Sequence, residues 1–450
     1  MNSNACRAAR GAAVFALVLA ISVAPAPGAA AETRPLSLDE CISLAQRDNP
    51  DIAVAGETYT KAESGLLASY GRLLPGFSLG FYTGHRYYGP SSVQFDASGR
   101  PVVQDGFDYE DFTFRMSSDI QIFDGGETMH RIRAAQASRN AAREGLNYRR
   151  SYVEAQVIRA YYNVVRWRML RTVAGESSDL AKRNLERTEA LLEVGSATRA
   201  DVLKARVRHS NTRLDVIEAT NALEIAREEL GALLRLEDAH SIEVDTALSI
   251  EFKSPDASAE IAYARTHRPD LKGLAHNVES AGAGIAAARS GWLPTLGASF
   301  NYNWNDRTMA ENLNFFNSEY AWSVAAYVSI DVFDRFLTTA NVRSAKADHR
   351  IAQHTYDKTK LDAEKQIRQL VLTMNQGQER SAVASETVEQ AREDLRLAEE
   401  RYRVGAGTML ETIDAQVALV RAKADVIQAK CDYLIAEADL AVATGRNVRE

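Results

Sequence analysis

The sequence predicts a mainly α-helical chain built twice over, with a membrane β-barrel contributed by β-hairpins. Three observations carry this reading. Two glycine-bearing breaks recur at a fixed spacing. Two stretches alternate apolar and polar residues at bilayer length. Two proline-free helical patterns are far longer than a compact domain needs.

The breaks come first, because a repeat sets the frame for everything else. Val194-Gly195-Ser196 and Val404-Gly405-Ala406-Gly407 each separate two helical patterns, and Asp201 answers Glu411 as Ala205 answers Ala415, all at a shift of 210. Earlier in each half, Asn49-Pro50-Asp51 answers Arg268-Pro269-Asp270 and Leu74-Pro75 answers Leu293-Pro294, at a shift of 219. The second copy is therefore about nine residues shorter between these landmarks, a loss placed in a loop, where length changes are best tolerated. The expected division is a signal peptide over 1–31, a first repeat over 32–236, a connector over 237–257 and a second repeat over 258–450.

Arg7 and Arg10, the apolar run 12–23 and Ala29-Ala30-Ala31 form the three parts of a cleavable export signal. Cys6 precedes the apolar run, so it is not placed to carry a lipid, and the mature chain is expected to be exported and unlipidated. Without Arg7 and Arg10 the chain holds 51 basic and 60 acidic residues, a formal charge of −9 that argues against nucleic acid as a partner. Two cysteines remain, Cys41 and Cys431; a bridge between them is conceivable, but two are no disulfide framework.

Taken in order, Ser37 with Glu40 three residues on reads as a capping box opening a short helix. Asp51 is expected to cap a second helix that runs to about Leu74. After each Leu-Pro the period changes from helix to strand. The expected strands are about 77–88, 108–123, 295–304 and 320–333. Phe77, Leu79 and Phe81 alternate with Ser78, Gly80 and Tyr82; Phe300, Tyr302 and Trp304 alternate with Ser299, Asn301 and Asn303. Strands of ~9–11 residues with one apolar face fit a membrane barrel, and Phe123, Tyr302, Trp304, Tyr320, Trp322 and Phe333 would suit its interfacial girdles. Two hairpins packed on a soluble core would show the same alternation.

The long helical hairpins are expected over 125–235 and 335–444. A helix from about Glu127 to Glu193 would reach ~100 Å. Near the end of its copy, Ala384, Val388, Ala391, Leu395, Ala398 and Tyr402 form a heptad seam. After the second break two parallel seams run side by side, one through Ile413, Val417, Val420, Ala424 and Ile427, the other through Thr412, Ala415, Leu419, Ala422 and Val426. Two seams require neighbours on both sides, as in a wall of helices.

Chemistry is sparse. Gly282-Ala-Gly284-Ile-Ala-Ala287 resembles a dinucleotide fingerprint but follows a helical pattern rather than a strand. The eight histidines are scattered, with no metal-binding spacing, and no nucleophile motif occurs. No catalytic residue, cofactor site or metal site is assigned, and an enzyme is not expected. Glu411 and Asp414, three apart, share a helix face one turn beyond the break. In a single chain they read as solvated acids near a helix N-terminus. Around a shared axis they would form a carboxylate ring that holds cations.

The export signal, the doubled helix–hairpin–long helix–tip–helix plan, and Tyr402-x-Val404-Gly405-x-x-Thr408 followed by Glu411-x-x-Asp414 together resemble the TolC-like outer membrane efflux proteins. The resemblance spans the whole mature chain. It implies a homotrimer with a 12-stranded outer-membrane β-barrel in contact with outer-membrane lipid, continued by a periplasmic α-helical barrel. It also implies the exit duct of a tripartite efflux pump or type I secretion system, working with a periplasmic adaptor (membrane fusion) protein and an inner-membrane transporter. By position, Tyr402, Glu411 and Asp414 correspond to the residues that constrict the periplasmic mouth. Val194, Gly195, Ser196, Val404, Gly405, Ala406 and Gly407 match the tips on which adaptors dock. Gly407 stands where the family pattern has an arginine. The competing reading is a periplasmic coiled-coil adaptor or scaffold, whose long hairpins would look alike.

Overall fold

The computed structural model describes residues 36–446, apart from 91–93, 103–105, 237, 241, 247–249 and 307–319. The export signal expected over 1–31 lies outside the described residues. Helix α1 (Leu38–Asp48) opens with the capping box of Ser37 and Glu40. Helix α2 (Pro50–Gly71) begins with Pro50 at its first position, and its cap is Asn49, whose side chain accepts from the Asp51 N–H. The cap expected at Asp51 therefore sits two residues earlier. In Asn-Pro-Asp only the residue before proline is held extended, as a cap must be, so Asp51 falls inside the first turn.

Strand β1 (Gly76–Tyr88) follows, then a two-residue ladder of β2 (Gln94–Phe95) and β3 (Pro101–Val102), then β4 (Phe107–Phe123). Next come α3 (Glu127–Glu193) and α4 (Arg199–Leu234). The second half runs through α5 (Ala257–His267), α6 (Pro269–Arg289), a short 3-10 turn, β5 (Thr295–Asp306), β6 (Tyr320–Ser329), α7 (Leu337–Arg403) and α8 (Met409–Thr444). Among its described residues the connector carries a parallel bridge, Leu36 to Val244.

The four long strands form one antiparallel sheet in the order β1-β4-β5-β6. Register places Leu79, Met116, Tyr302 and Trp322 in one cross-strand row, and Ser78, Ser117, Asn301 and Ser323 in the next. Adjacent rows face opposite sides of a sheet, so one face is apolar and aromatic and the other small and polar. β1, β4 and β5 are longer than the expected ~9–11 residues, at 13, 17 and 12 residues. β6 is shorter than expected: it stops at Ser329, not at 333. Its counterpart β4 continues to Phe123 because β5 pairs with it there. β6 is the sheet edge, so residues 330–333 have no strand beside them to hold them extended.

The helical halves are copies in length as well as pattern. α3 and α7 both have 67 residues, and α4 and α8 both have 36. Each hairpin has a core near its membrane-side end. One is built on Ile42, Val157, Val164, Leu223 and Leu230. The other uses Ile261, Ile367, Met374, Tyr433 and Leu440, the same places in the second copy. Cys41 and Cys431 are both free and buried, so the conceivable bridge between them is not formed. Burial pushes the Cys41 thiol up to about 11 and raises that of Cys431, which keeps both protonated and inert.

No helix among the described residues is long and apolar enough to cross a membrane.

Candidate functional site at the helical tips

The two breaks fold to the same turn. α3 is capped by Val194, Gly195 takes φ +75°, and the N–H groups of Gly195 and Ser196 donate to the carbonyls of Leu192 and Leu191 at 3.0 and 2.8 Å. At the second tip Gly405 takes φ +77°, and Gly405 and Ala406 donate to Tyr402 and Arg401 at 3.1 and 2.8 Å. This is the Schellman helix end, which needs a left-handed residue just past the cap and so favours glycine. Thr198 and Thr408 then cap the returning helices. Val194 and Val404 stand out at the two ends, 73 % and 70 % exposed.

The predicted site residues do not share one environment. Glu411 is tied into its own turn. Its N–H donates to the Thr408 hydroxyl, which in turn donates to the Glu411 carboxylate, each at 3.3 Å. The Arg401 guanidinium lies 3.8 Å from the same carboxylate and also donates to the Ala406 carbonyl at 3.4 Å. Asp414 is exposed on the next turn. Tyr402 faces the other hairpin, in a narrow cleft with Asn184, Arg187 and Thr188 of α3 and Met409 and Thr412 of α8. Gly407 packs tightly under Arg401: a Cβ there would meet the Arg401 Cβ at 3.0 Å.

Sequence reasoning missed Arg401. It brings a cation to the second tip from the end of α7, 3.8 Å from the Glu411 carboxylate. The repeat held a signal, because the first copy has Leu191 in this place. Both partners are largely exposed, so this ion pair contributes under about 1 kcal/mol.

The contact between the hairpins changes character along its length. Toward the membrane, α3 and α8 are joined by Arg159–Asp439 at 2.7 Å, Arg166–Asp432 at 2.6 Å and Lys423–Glu176 at 2.8 Å. Toward the tips no ion pair joins α3 and α8 among the described residues, and the buried Nδ2 of Asn184, hydroxyl of Thr412 and Nε2 of Gln416 have no hydrogen-bond partner; nearer the membrane the contact leaves one such group, the Nε of Arg166. Each such group costs about 1–3 kcal/mol, so the interface is weakest beside Tyr402. No group of His, Cys, Asp and Glu among the described residues is arranged to hold a metal ion.

A four-stranded sheet with an apolar face and two open edges, set on helical hairpins of this length, defines the class of outer-membrane channels with a helical extension. The sequence profile of the outer membrane efflux protein family matches residues 41–234 and 261–446, and the chain belongs to that family. Among its relatives is the pyoverdine export outer membrane protein OpmQ of Pseudomonas putida, 25 % identical over 400 residues, covering 86 % of this chain and 81 % of the relative. The cobalt-zinc-cadmium resistance protein CzcC of Cupriavidus metallidurans is 28 % identical over 200 residues, 44 % of this chain and 42 % of that protein. The fold matches the Campylobacter jejuni CmeC outer membrane channel with a TM-score of 0.81 at 18 % identity, covering 91 % of this chain and 85 % of that one. The chain is an outer-membrane efflux channel with a periplasmic helical part, which decides against the coiled-coil adaptor reading.

Proposed function

We propose that three copies form one conduit, closed at the periplasmic end by the helical tips and opened by parting the hairpins there. The observation that carries the reading is that the ion pairs joining α3 and α8 stop at Glu176–Lys423, while three buried polar groups near the tips, on Asn184, Thr412 and Gln416, are left unsatisfied against one, the Nε of Arg166, in the ion-paired part. An interface built this way separates at its tip end first. Each protomer brings four strands, and an edge-free membrane barrel then needs other chains. Glu411 and Asp414 of three protomers ring the mouth and hold cations there. The exposed valines, Val194 and Val404, with Gly195, Ser196, Gly405, Ala406 and Gly407, form the docking surface for a periplasmic adaptor, through which an inner-membrane transporter delivers its cargo.

A disulfide lock tests the opening. Asn184 and Thr412 line the same cleft. The Asn184→Cys, Thr412→Cys double variant should, once oxidised, hold single-channel current in planar bilayers at its closed level. Reductant should restore opening. Current that is unchanged with the bond formed would remove the tips from the gate.

A further inference from the structure

A cavity of about 820 Å³ lies between the two hairpin cores, with Ile42 and Ile158 of one and Met374 and Leu440 of the other in its wall. Small-ligand sites run ~300–1,000 Å³, so the volume suits one. The floor is apolar, but the charged lining among the described residues is mostly acidic. Asp39, Glu154, Glu260 and Glu437 stand against two cations, Lys253 and Arg446. Both cations are on exposed side chains, Lys253 at 3.5 Å from Glu437 and Arg446 at 3.1 Å from Glu260. Glu154 differs from the other acids in being only 5 % exposed, and the Gln46 amide donates to its carboxylate at 3.4 Å.

The internal repeat shows how this lining departs from its copy. Under the shifts of 210 and 219, Glu154 answers Glu364, Gln46 answers Arg265, Ile158 answers Arg368 and Glu437 answers Arg227. In the copy the Arg265 guanidinium donates to the Glu364 carboxylate at 2.8 and 3.1 Å, and the charge of Arg368 acts on the same carboxylate. The buried acid is thus kept, while three arginines of the copy are an amide, a hydrocarbon and a second acid here. A lining altered in this way attracts a cation from solution. The spacing of the acids sets the shape of that cation. Arg159–Asp439 and Arg166–Asp432 fix the register of α3 against α8, which puts Glu437 level with Tyr161. From Glu154 to Tyr161 along α3 is ~10 Å, and the side chains of Ile158, Ala438 and Ala441 line the cavity over that distance.

We propose that this cavity binds a linear aliphatic polyamine, with one ammonium at Glu154, another at Glu437 and the methylene chain laid along Ile158 and Ala438. Each end makes a charge-assisted hydrogen bond to a carboxylate. The methylenes cover apolar surface as the stem of a lysine does. Lys253 yields Glu437 at little cost, since an exposed pair is weak. The bound polyamine joins α3 to α8 within one chain, so the site does not depend on how many copies form the conduit.

Equilibrium dialysis of the full-length protein in detergent against radiolabelled spermidine tests the site and should give one bound molecule per chain. Glu154→Gln with Glu437→Gln should weaken binding at least tenfold. Glu57→Gln with Glu63→Gln removes the same charge from exposed positions on α2 and should leave binding unchanged. Gln46→Arg, which brings in the arginine of the copy, should also weaken binding at least tenfold; it decides the matter if the double glutamine variant fails to fold. As competitors, ethylenediamine, whose two amines are too close together, and octylamine, which has one, should each be at least tenfold weaker than unlabelled spermidine. Absence of bound spermidine, equal competition by ethylenediamine, unchanged binding in Gln46→Arg, or equal loss in the Glu57 and Glu63 variant overturns the site.

Discussion

In the first half of the chain Leu223 is fully buried in a core against which Trp167 packs. In the second half Tyr433 holds the place of Leu223, and Gly377 that of Trp167. The exchange is compensated: a Cβ at Gly377 would meet the Tyr433 Cβ at 3.2 Å. Cores accept such swaps when total volume is kept. The larger residue also gains a task that leucine lacks. The Lys253 N–H donates to the Tyr433 hydroxyl at 2.6 Å, and the hydroxyl donates to the Lys253 carbonyl at 3.2 Å. Phe252 meets the same ring edge-on. At this place the second core therefore fastens the connector by a side-chain hydroxyl, while the first core holds it elsewhere, through the buried Ala239, Ile242 and Val244 and a hydrogen bond from Arg168 to the Val244 carbonyl at 2.6 Å. The backbone repeats; the duties of its side chains do not.

The strongest way to break this comparison is to remove the fastening. Tyr433→Ala is expected to cost about 3–5 kcal/mol, and Tyr433→Leu about 2–4 kcal/mol, since the packing beside Gly377 and both hydrogen bonds go. Adding Gly377→Trp to Tyr433→Leu imitates the first core and should recover the packing share but not the connector. Thermal midpoints of the detergent-solubilised variants measure this. Full recovery in the double variant would show that the hydroxyl contributes nothing.

A second contrast lies where the strands enter the long helices. Gly125 and Gly126 take positive φ in the first copy; Arg335 and Phe336 do so in the second, at φ 54° and 65°. A Cβ at Gly125 would lie 2.8 Å from the Leu293 Cβ and 2.9 Å from the Ser290 carbonyl oxygen. Gly125→Ala is therefore expected to destabilise by about 2–3 kcal/mol, from strain and overpacking together. Phe336→Gly relieves a strained backbone and should have the opposite sign, up to about 1 kcal/mol. Denaturant midpoints of the two variants moving in the same direction would contradict the account.

The tips sharpen the comparison from the other side, because here the two copies agree. Nothing lies within reach of a Cβ at Gly195 or at Gly405. Gly195→Ala and Gly405→Ala should each cost about 1 kcal/mol, by backbone strain alone. Unequal costs would mean that one tip is held by more than its turn. Protease nicking at each tip reads the difference.

The smallest effect is an acid one. The Thr198 hydroxyl, and to a lesser degree its backbone N–H, hold Asp201 below the usual carboxylate range. A depressed folded pKa stabilises above the unfolded value, and the contribution disappears as pH falls through the folded one. Pepsin nicking of the first tip should thus rise as pH drops below about 4, and in Asp201→Asn it should be high throughout. A flat profile in the parent protein would remove Asp201 from the cap.

Much of this architecture was legible because it depends on local patterns. The missing prolines between 127 and 193 allow one helix, and alternation at 77–82 and 299–304 can only be a strand. The turns were legible from Gly195 and Gly405, since few other residues accept that backbone. What escaped depends on neighbours distant in sequence. β6 looks like strand to 333 and stops at 329 for want of a partner. Asp414 stays on the surface while Tyr402 turns toward α3, a difference set by which hairpin lies beside which. Arg401 was hidden because its partner Glu411 is reached across the turn and not along a helix.

The equal lengths of α3 with α7, and of α4 with α8, constrain how such a chain changes over time. Removing one heptad from each arm of one hairpin shortens it by ~10 Å and leaves the other protruding, so the rim of the mouth becomes stepped. Removing the same heptads from both hairpins keeps the rim level and shortens the reach across the periplasm. Viable length variants should therefore arise in matched pairs of deletions, and a lineage with a thinner or wider periplasm must change both halves of the gene together.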